Sequence, residues 1–221
     1  MVRGGVNSPI SLYLIRTPRG PCLVFASSET VRVWEQTSTD HLHQAILWLR
    51  SRHNRVVAWV GKLLESARAY HGTLEDRLDP AERILRAMAG ANGFVVYHGT
   101  FPSGSEVLGY FRAALRRQKI KHWTWFALDW AAIAAAIPLS PLPGPNVLLY
   151  YPVLRVFSHY RAVCGVKAAV SAADMELRFA AALDELEGIL RTPRRDTGAI
   201  QAAADALNVD GLGPFIERMV P

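Results

Sequence analysis

Arg116 to Val170 reads RRQKIKHWTWFALDWAAIAAAIPLSPLPGPNVLLYYPVLRVFSHYRAVCGVKAAV, and the reading of this stretch decides the fold. Trp123 to Ile137 is apolar and aromatic, interrupted by Thr124 and Asp129. Pro138 to Asn146 (PLSPLPGPN) holds four prolines and a glycine. Proline lacks the backbone donor and clashes one turn back, so no helix continues through that breaker. Val147 to Val170 is apolar again, with Arg155, Ser158, His159, Arg161 and Lys167 set into it. The pattern predicts a helical hairpin turning at Pro143, Gly144, Pro145 and Asn146, with Asn146 as the cap of the second helix. Pro152 falls a turn and a half inside that helix, which predicts a kink there or a later start.

The charge of the chain belongs to this hairpin. Between Glu106 and Asp174 eight basic residues face one acidic residue, Asp129, for a net +7, against +6 for the whole chain. Arg116, Arg117, Lys119 and Lys121 crowd the approach to Trp123 and form a candidate membrane-surface patch for anionic lipid. A full membrane span needs about 20 apolar residues; Trp123 to Ile137 as a helix covers roughly 22 Å against a hydrocarbon core of about 30 Å. With basic residues at both outer ends, the hairpin reads as re-entrant or interfacial, both ends on one side. The alternative is a soluble α+β interaction module whose apolar hairpin is core.

Working outward, Ser11 to Arg16 and Pro21 to Ala26 read as short strands around the turn Thr17 to Gly20 (TPRG), and Glu29 to Glu35 as a third. Apolar residues from Leu42 to Leu64 recur at helical spacing down to Tyr70. Pro80 opens a helix over Ala81 to Met88, Phe94 to His98 is a strand, and Ser103 or Ser105 opens a helix that runs unbroken to Ile137. Ala173 to Arg191 reads as one amphipathic helix, followed by a helix over Thr197 to Leu207 and another over Gly213 to Met219. The fold expected is α+β and mainly α-helical, one domain over 1–221. Its parts are a small N-terminal antiparallel sheet (1–38 with 93–98), helices over 40–90, the basic helix and central apolar helical hairpin over 104–170, and C-terminal helices over 173–220.

Several function classes find no support. The two cysteines, Cys22 and Cys164, have no metal-ligand spacing and no disulfide pattern. His41 and His43 lie two apart, so they do not share a helix face, and no third ligand accompanies them. The expectation is no metal and no cofactor. No phosphate loop, nucleophile elbow, HExxH or paired-carboxylate site stands out, which points away from an enzyme. The last helix offers one arginine, too little for a groove-reading helix, so nucleic acid is disfavoured as a partner. Asp129 is a lone carboxylate in an apolar run and needs a cation, a hydrogen bond or water. Arg155 and His159 lie one turn apart, with Ser158 beside them, and an antiparallel hairpin would bring them to Asp129. The trio serves either as an ion or proton relay or as a buried pair that fixes hairpin register.

Leu142 to Lys167, LPGPNVLLYYPVLRVFSHYRAVCGVK, resembles the mitochondrial K+-H+ exchange-related family in its LPGPN turn, its aromatic-rich helix with an arginine, and its SHYRA-like stretch. The likeness is read as extending to the basic approach before Trp123 and to IQAAADALNVDGLGPFIERM. It implies a membrane-associated protein, a component or accessory of potassium/proton exchange in cation homeostasis. An ion exchanger or a second copy of the chain would then be a partner besides anionic membrane lipid. The first residues carry no clear targeting peptide. That fits a bacterial-type member on the cytoplasmic face of the cytoplasmic membrane; a eukaryotic member would sit at the mitochondrial inner membrane.

Overall fold

The computed structural model describes residues 9–18, 22–27, 31, 80–91, 93–136, 147–172, 175–192 and 196–219. The expected helix over 40–70, the hairpin turn Pro143, Gly144, Pro145 and Asn146, and His41 and His43 lie outside the described residues. So does the strand expected over 29–35, apart from Val31. There the backbone is helical, its amide donating to the Ser27 carbonyl at 3.0 Å.

The described elements are β1 (Ile10–Ile15), β2 (Leu23–Phe25), α1 (Pro80–Met88), β3 (Phe94–His98), α2 (Gly104–Ala136), α3 (Val147–Ser171), β4 (Met175–Phe179), α4 (Ala181–Arg191), α5 (Thr197–Ala206) and α6 (Leu212–Met219). The chain is α+β and mainly helical, as its sequence predicts. The four strands form one sheet in the order β2-β1-β3-β4. β1 and β2 pair antiparallel, whereas β1–β3 and β3–β4 are parallel. Parallel neighbours need long crossovers, so the α2–α3 hairpin is itself the crossover from β3 to β4. Consecutive residues of β1 (Leu12 to Ile15) and of β3 (Phe94 to Val96) are buried, the mark of strands covered on both faces. Tyr13 stacks on its register partner Tyr97 at 5.0 Å, and Phe25 meets Phe215 of α6 at 4.8 Å.

The sheet is therefore mixed and not the antiparallel one expected, and one further expectation needs correction. Ala173 to Arg191 is not one helix. Met175–Phe179 is an edge strand, and α4 starts at Ala181. Met, Glu, Leu and Arg are good helix formers, but the free edge of β3 outweighs that preference. The strand carries a Glu176–Arg178 pair at 2.8 Å, charge that blunts an exposed edge. α3 begins at Val147 and contains Pro152, so of the two outcomes expected at that proline the later start is not seen.

The long helix forms as expected. Ser103 caps it, its Oγ accepting from the Glu106 amide at 3.3 Å, and α2 then runs unbroken for 33 residues. Asp196 caps α5 by accepting from the Gly198 amide at 2.8 Å, and Asn208 at φ 51 ends it, a left-handed position asparagine tolerates. α2 packs along α3, and α1 packs against α3. The second contact is tight at Gly165. A Cβ there would overlap the Leu85 carbonyl oxygen and stand 2.9 Å from the Leu85 carbonyl carbon and 3.1 Å from the Ala89 nitrogen. Only glycine lets the α3 backbone come this close to α1.

Candidate functional site

α1, α2 and α3 bring six polar side chains together. α1 supplies Glu82. α2 supplies His122 and Asp129, seven residues apart and so on one face of the helix. α3 supplies Arg155, Ser158 and His159. All but Arg155 are buried, and Arg155 is half-buried. The close α1–α3 approach at Gly165 and Leu85 is what carries Glu82 to Ser158 and His159.

His159 is the centre. Its Nδ1 lies 3.0 Å from Nδ1 of His122 and 3.8 Å from Oε1 of Glu82. Its Nε2 faces the other way, 3.5 Å from Oδ2 of Asp129 and 3.3 Å from a guanidinium nitrogen of Arg155. Arg155 reaches Asp129 with Nε at 3.4 Å and lays its guanidinium over the Trp125 ring at 4.8 Å. Ser158 donates its hydroxyl hydrogen to Glu82. One ligating atom from each of Glu82, His122 and His159 lies within 4.8 Å of the others, so these three are the residues here with the chemistry to hold a metal ion.

Burial dominates the electrostatics. It pushes the Asp129 carboxyl above the ordinary carboxylate value; Arg155 and His159 oppose this without cancelling it, and Glu82 adds to it. The contacts to Asp129 are long, and its buried Oδ2 accepts no well-formed hydrogen bond. Burial also lowers His159. Glu82 and Asp129 pull it back up, and His122 and Arg155 push it further down. An imidazole kept neutral, with different partners on its two nitrogens, can pass a proton, accept one or ligate a metal.

The structure brings together the three residues singled out in the hairpin, Asp129, Arg155 and His159. Arg116, Arg117, Lys119 and Lys121 stand apart from them, exposed on the first half of α2. Reading the sequence missed His122 and Glu82. The seven-residue spacing from His122 to Asp129 was the available signal. Glu82 gave none, because its position depends on how α1 docks.

The second half of the hairpin is inside out. His122 and Asp129 of α2 and Ser158 and His159 of α3 are buried. Trp123, Trp125, Leu128 and Trp130 are 48, 41, 53 and 52% exposed, and Phe157 and Tyr160 of α3 are 47 and 55% exposed. Phe126 ties this surface together, with ring contacts to Trp123 at 5.1 Å, Trp130 at 6.3 Å and Tyr160 at 6.5 Å. Among the described residues no helix is long and apolar enough to cross a membrane.

Comparison with known proteins places residues 28–171 in a match to the family described as mitochondrial K+-H+ exchange-related. The matched span holds α1, β3, α2 and α3 and with them every residue of the site. It stops before the C-terminal helices, so the likeness read in IQAAADALNVDGLGPFIERM is not part of it. No curated protein and no solved structure matches the chain significantly.

Proposed function

The chain belongs to the mitochondrial K+-H+ exchange-related family, and from that premise we propose that it is a non-enzymatic, membrane-docked component of potassium/proton exchange. The observation that carries the docking is the inside-out hairpin, with its polar residues turned inward and its tryptophans outward. A patch of this kind marks an interaction surface. Its occupant on this reading is anionic lipid, because the same helix carries Arg116, Arg117, Lys119 and Lys121 exposed just ahead of Trp123. Tryptophan and tyrosine favour the headgroup layer, and each basic residue near an anionic surface adds about 1 kcal/mol. The hairpin then lies in the interface and does not span the bilayer. A hairpin of this size forms no ion pathway alone, so exchange would require further copies or an exchanger as partner.

Fractionation and flux test the two halves of the proposal separately. Membranes holding the protein are washed in high salt and then in alkaline carbonate. Retention through salt supports an apolar docking; release by salt alone removes it, leaving only adhesion of charge. Potassium/proton exchange is followed as swelling of membrane vesicles in potassium acetate, with and without the protein. Slower swelling in its absence, restored by adding the gene back, is the expected result. An unchanged rate would end the exchange reading and leave the docking untouched.

A further inference from the structure

We propose that Glu82, His122 and His159 form a binding site for a divalent transition metal ion of the zinc class, which clips α1 to the α2–α3 hairpin. Two imidazoles and a carboxylate are the donor set that borderline ions of this class take. A tetrahedral ion with ligands at about 2.0–2.1 Å spaces those ligands roughly 3.3–3.4 Å apart. The distances of 3.0 Å between the two Nδ1 atoms and 3.8 Å from His159 Nδ1 to Glu82 Oε1 bracket that value. All three ligating atoms fall within 4.8 Å of one another, so side-chain adjustment alone would close the shell.

The surroundings are those of a built site. Glu82, His122 and His159 are 5, 1 and 4% exposed, so bulk water does not compete freely for the ion. His159 turns its second nitrogen toward the Asp129 carboxylate at 3.5 Å and an Arg155 guanidinium nitrogen at 3.3 Å, and ion binding at Nδ1 would close the longer of these into a hydrogen bond from Nε2 to Asp129. A carboxylate behind a ligating imidazole sets its tautomer and raises its basicity. Asp129 is held in turn by Arg155 at 3.4 Å. Ser158 donates to Glu82 and fixes the third ligand. The three ligands therefore come from three different helices, and two of them, His159 and Glu82, have an outer partner. The chemistry is not that of a potassium site, which is built from oxygen atoms, so the proposal stands apart from the exchange reading. Three protein ligands leave a fourth position for water or another small donor.

The test uses the full chain, purified without a polyhistidine tag and freed of metal by a chelator. Zinc is added and measured by elemental analysis and calorimetry. The expected result is saturation at one ion per chain, with a rise in melting temperature. X-ray absorption on the zinc form should show a shell of nitrogen and oxygen at about 2.0–2.2 Å with two imidazoles and no sulfur. Glu82→Gln and His159→Gln should abolish stoichiometric uptake. Ser158→Ala and Asp129→Asn, which touch only supporting contacts, should weaken it about 10–100-fold. A His41→Ala/His43→Ala chain should bind as the parent does. No stoichiometric uptake by the parent, sulfur in the shell, or uptake lost with His41 and His43 would each overturn the proposal. The absorption spectrum needs only the parent protein, so a variant that fails to fold leaves the test decisive.

Discussion

Substituting Gly165 by alanine should destabilise the protein, although the same change in an open helix stabilises it. Alanine is favoured over glycine in a helix interior by about 0.8–1 kcal/mol. Gly109 in α2 and Gly188 in α4 have nothing within 4 Å of an added Cβ, so Gly109→Ala and Gly188→Ala should each gain part of that amount. At Gly165 the added carbon would overlap the Leu85 carbonyl and stand 2.9 Å from its carbon, where ordinary contact begins at 3.4 Å. The obstacle is helix backbone, which does not rotate away as a side chain does. α1 and α3 must separate, and overpacking of this kind costs about 1–3 kcal/mol. For a chain of this size each kcal/mol lowers the melting temperature by roughly 2–4 °C. The three alanine variants are compared by denaturant titration and thermal melting. The expected order places Gly109→Ala and Gly188→Ala at or above the parent and Gly165→Ala clearly below it. Separation of α1 from α3 also draws Glu82 away from His159, so zinc affinity should fall with stability. A Gly165→Ala chain as stable as the Gly109→Ala chain would refute the close α1–α3 contact and the site built on it.

Other expectations follow from single contacts. Arg16 binds buried Glu187 through its amide at 3.0 Å and its Nε at 2.6 Å. Removing one partner of a buried pair costs about 3–5 kcal/mol, and Arg16 keeps 28% side-chain exposure, so Arg16→Ala should fall near the lower end by denaturant titration. A loss under about 1 kcal/mol would mean that the pair is screened as a surface bridge is. Burial pushes the Cys22 thiol above its ordinary value, with Glu187 adding to the rise. The thiolate is the reactive form, so Cys22 should alkylate more slowly than a small free thiol at pH 8 and catch up as pH rises; an equal rate at pH 8 contradicts the assignment. Trp123 and Trp130 are each about half exposed, which leaves roughly 100 Å² apiece for lipid, or about 2.5 kcal/mol at full transfer. Trp123→Ala and Trp130→Ala should each weaken binding to anionic vesicles about 10-fold or more, with melting temperature unchanged. Binding that survives both would place the contact elsewhere.

The local signals in the sequence were strong where the chain is punctuated. Pro80, Ser103 and the Asn208 turn mark helix ends that the structure keeps to within one or two residues, and Phe94–His98 is a strand as read. β4 was illegible because nothing in MELRF opposes a helix; the pairing with β3 is a tertiary choice. The parallel course of β1 and β3 was hidden for the same reason, since strand direction is set by the crossover and not by the strand. Asp129, Arg155 and His159 could be paired in advance because four-residue spacing and an antiparallel hairpin suffice. Glu82 could not. Ser158 and Glu82 are 76 positions apart, and the packing of α1 on α3, tight at Gly165, is what brings them together. The outward face of Trp123, Trp125 and Trp130 was also undecided, because aromatic residues in an apolar run suit core and headgroup layer equally.

The docking claim meets its most direct test in the tryptophans themselves. A chain carrying Trp34→Phe, Trp48→Phe and Trp59→Phe retains Trp123, Trp125 and Trp130 as its fluorophores. It is mixed with anionic vesicles whose acyl chains carry bromine, a contact quencher, and with unbrominated vesicles of the same charge. Lipid docking predicts a blue-shifted emission on both and strong quenching on the brominated ones, with the quenching retained in high salt. Emission that ignores bromine while the protein stays bound would contradict it, for the tryptophan face would then be turned away from the bilayer.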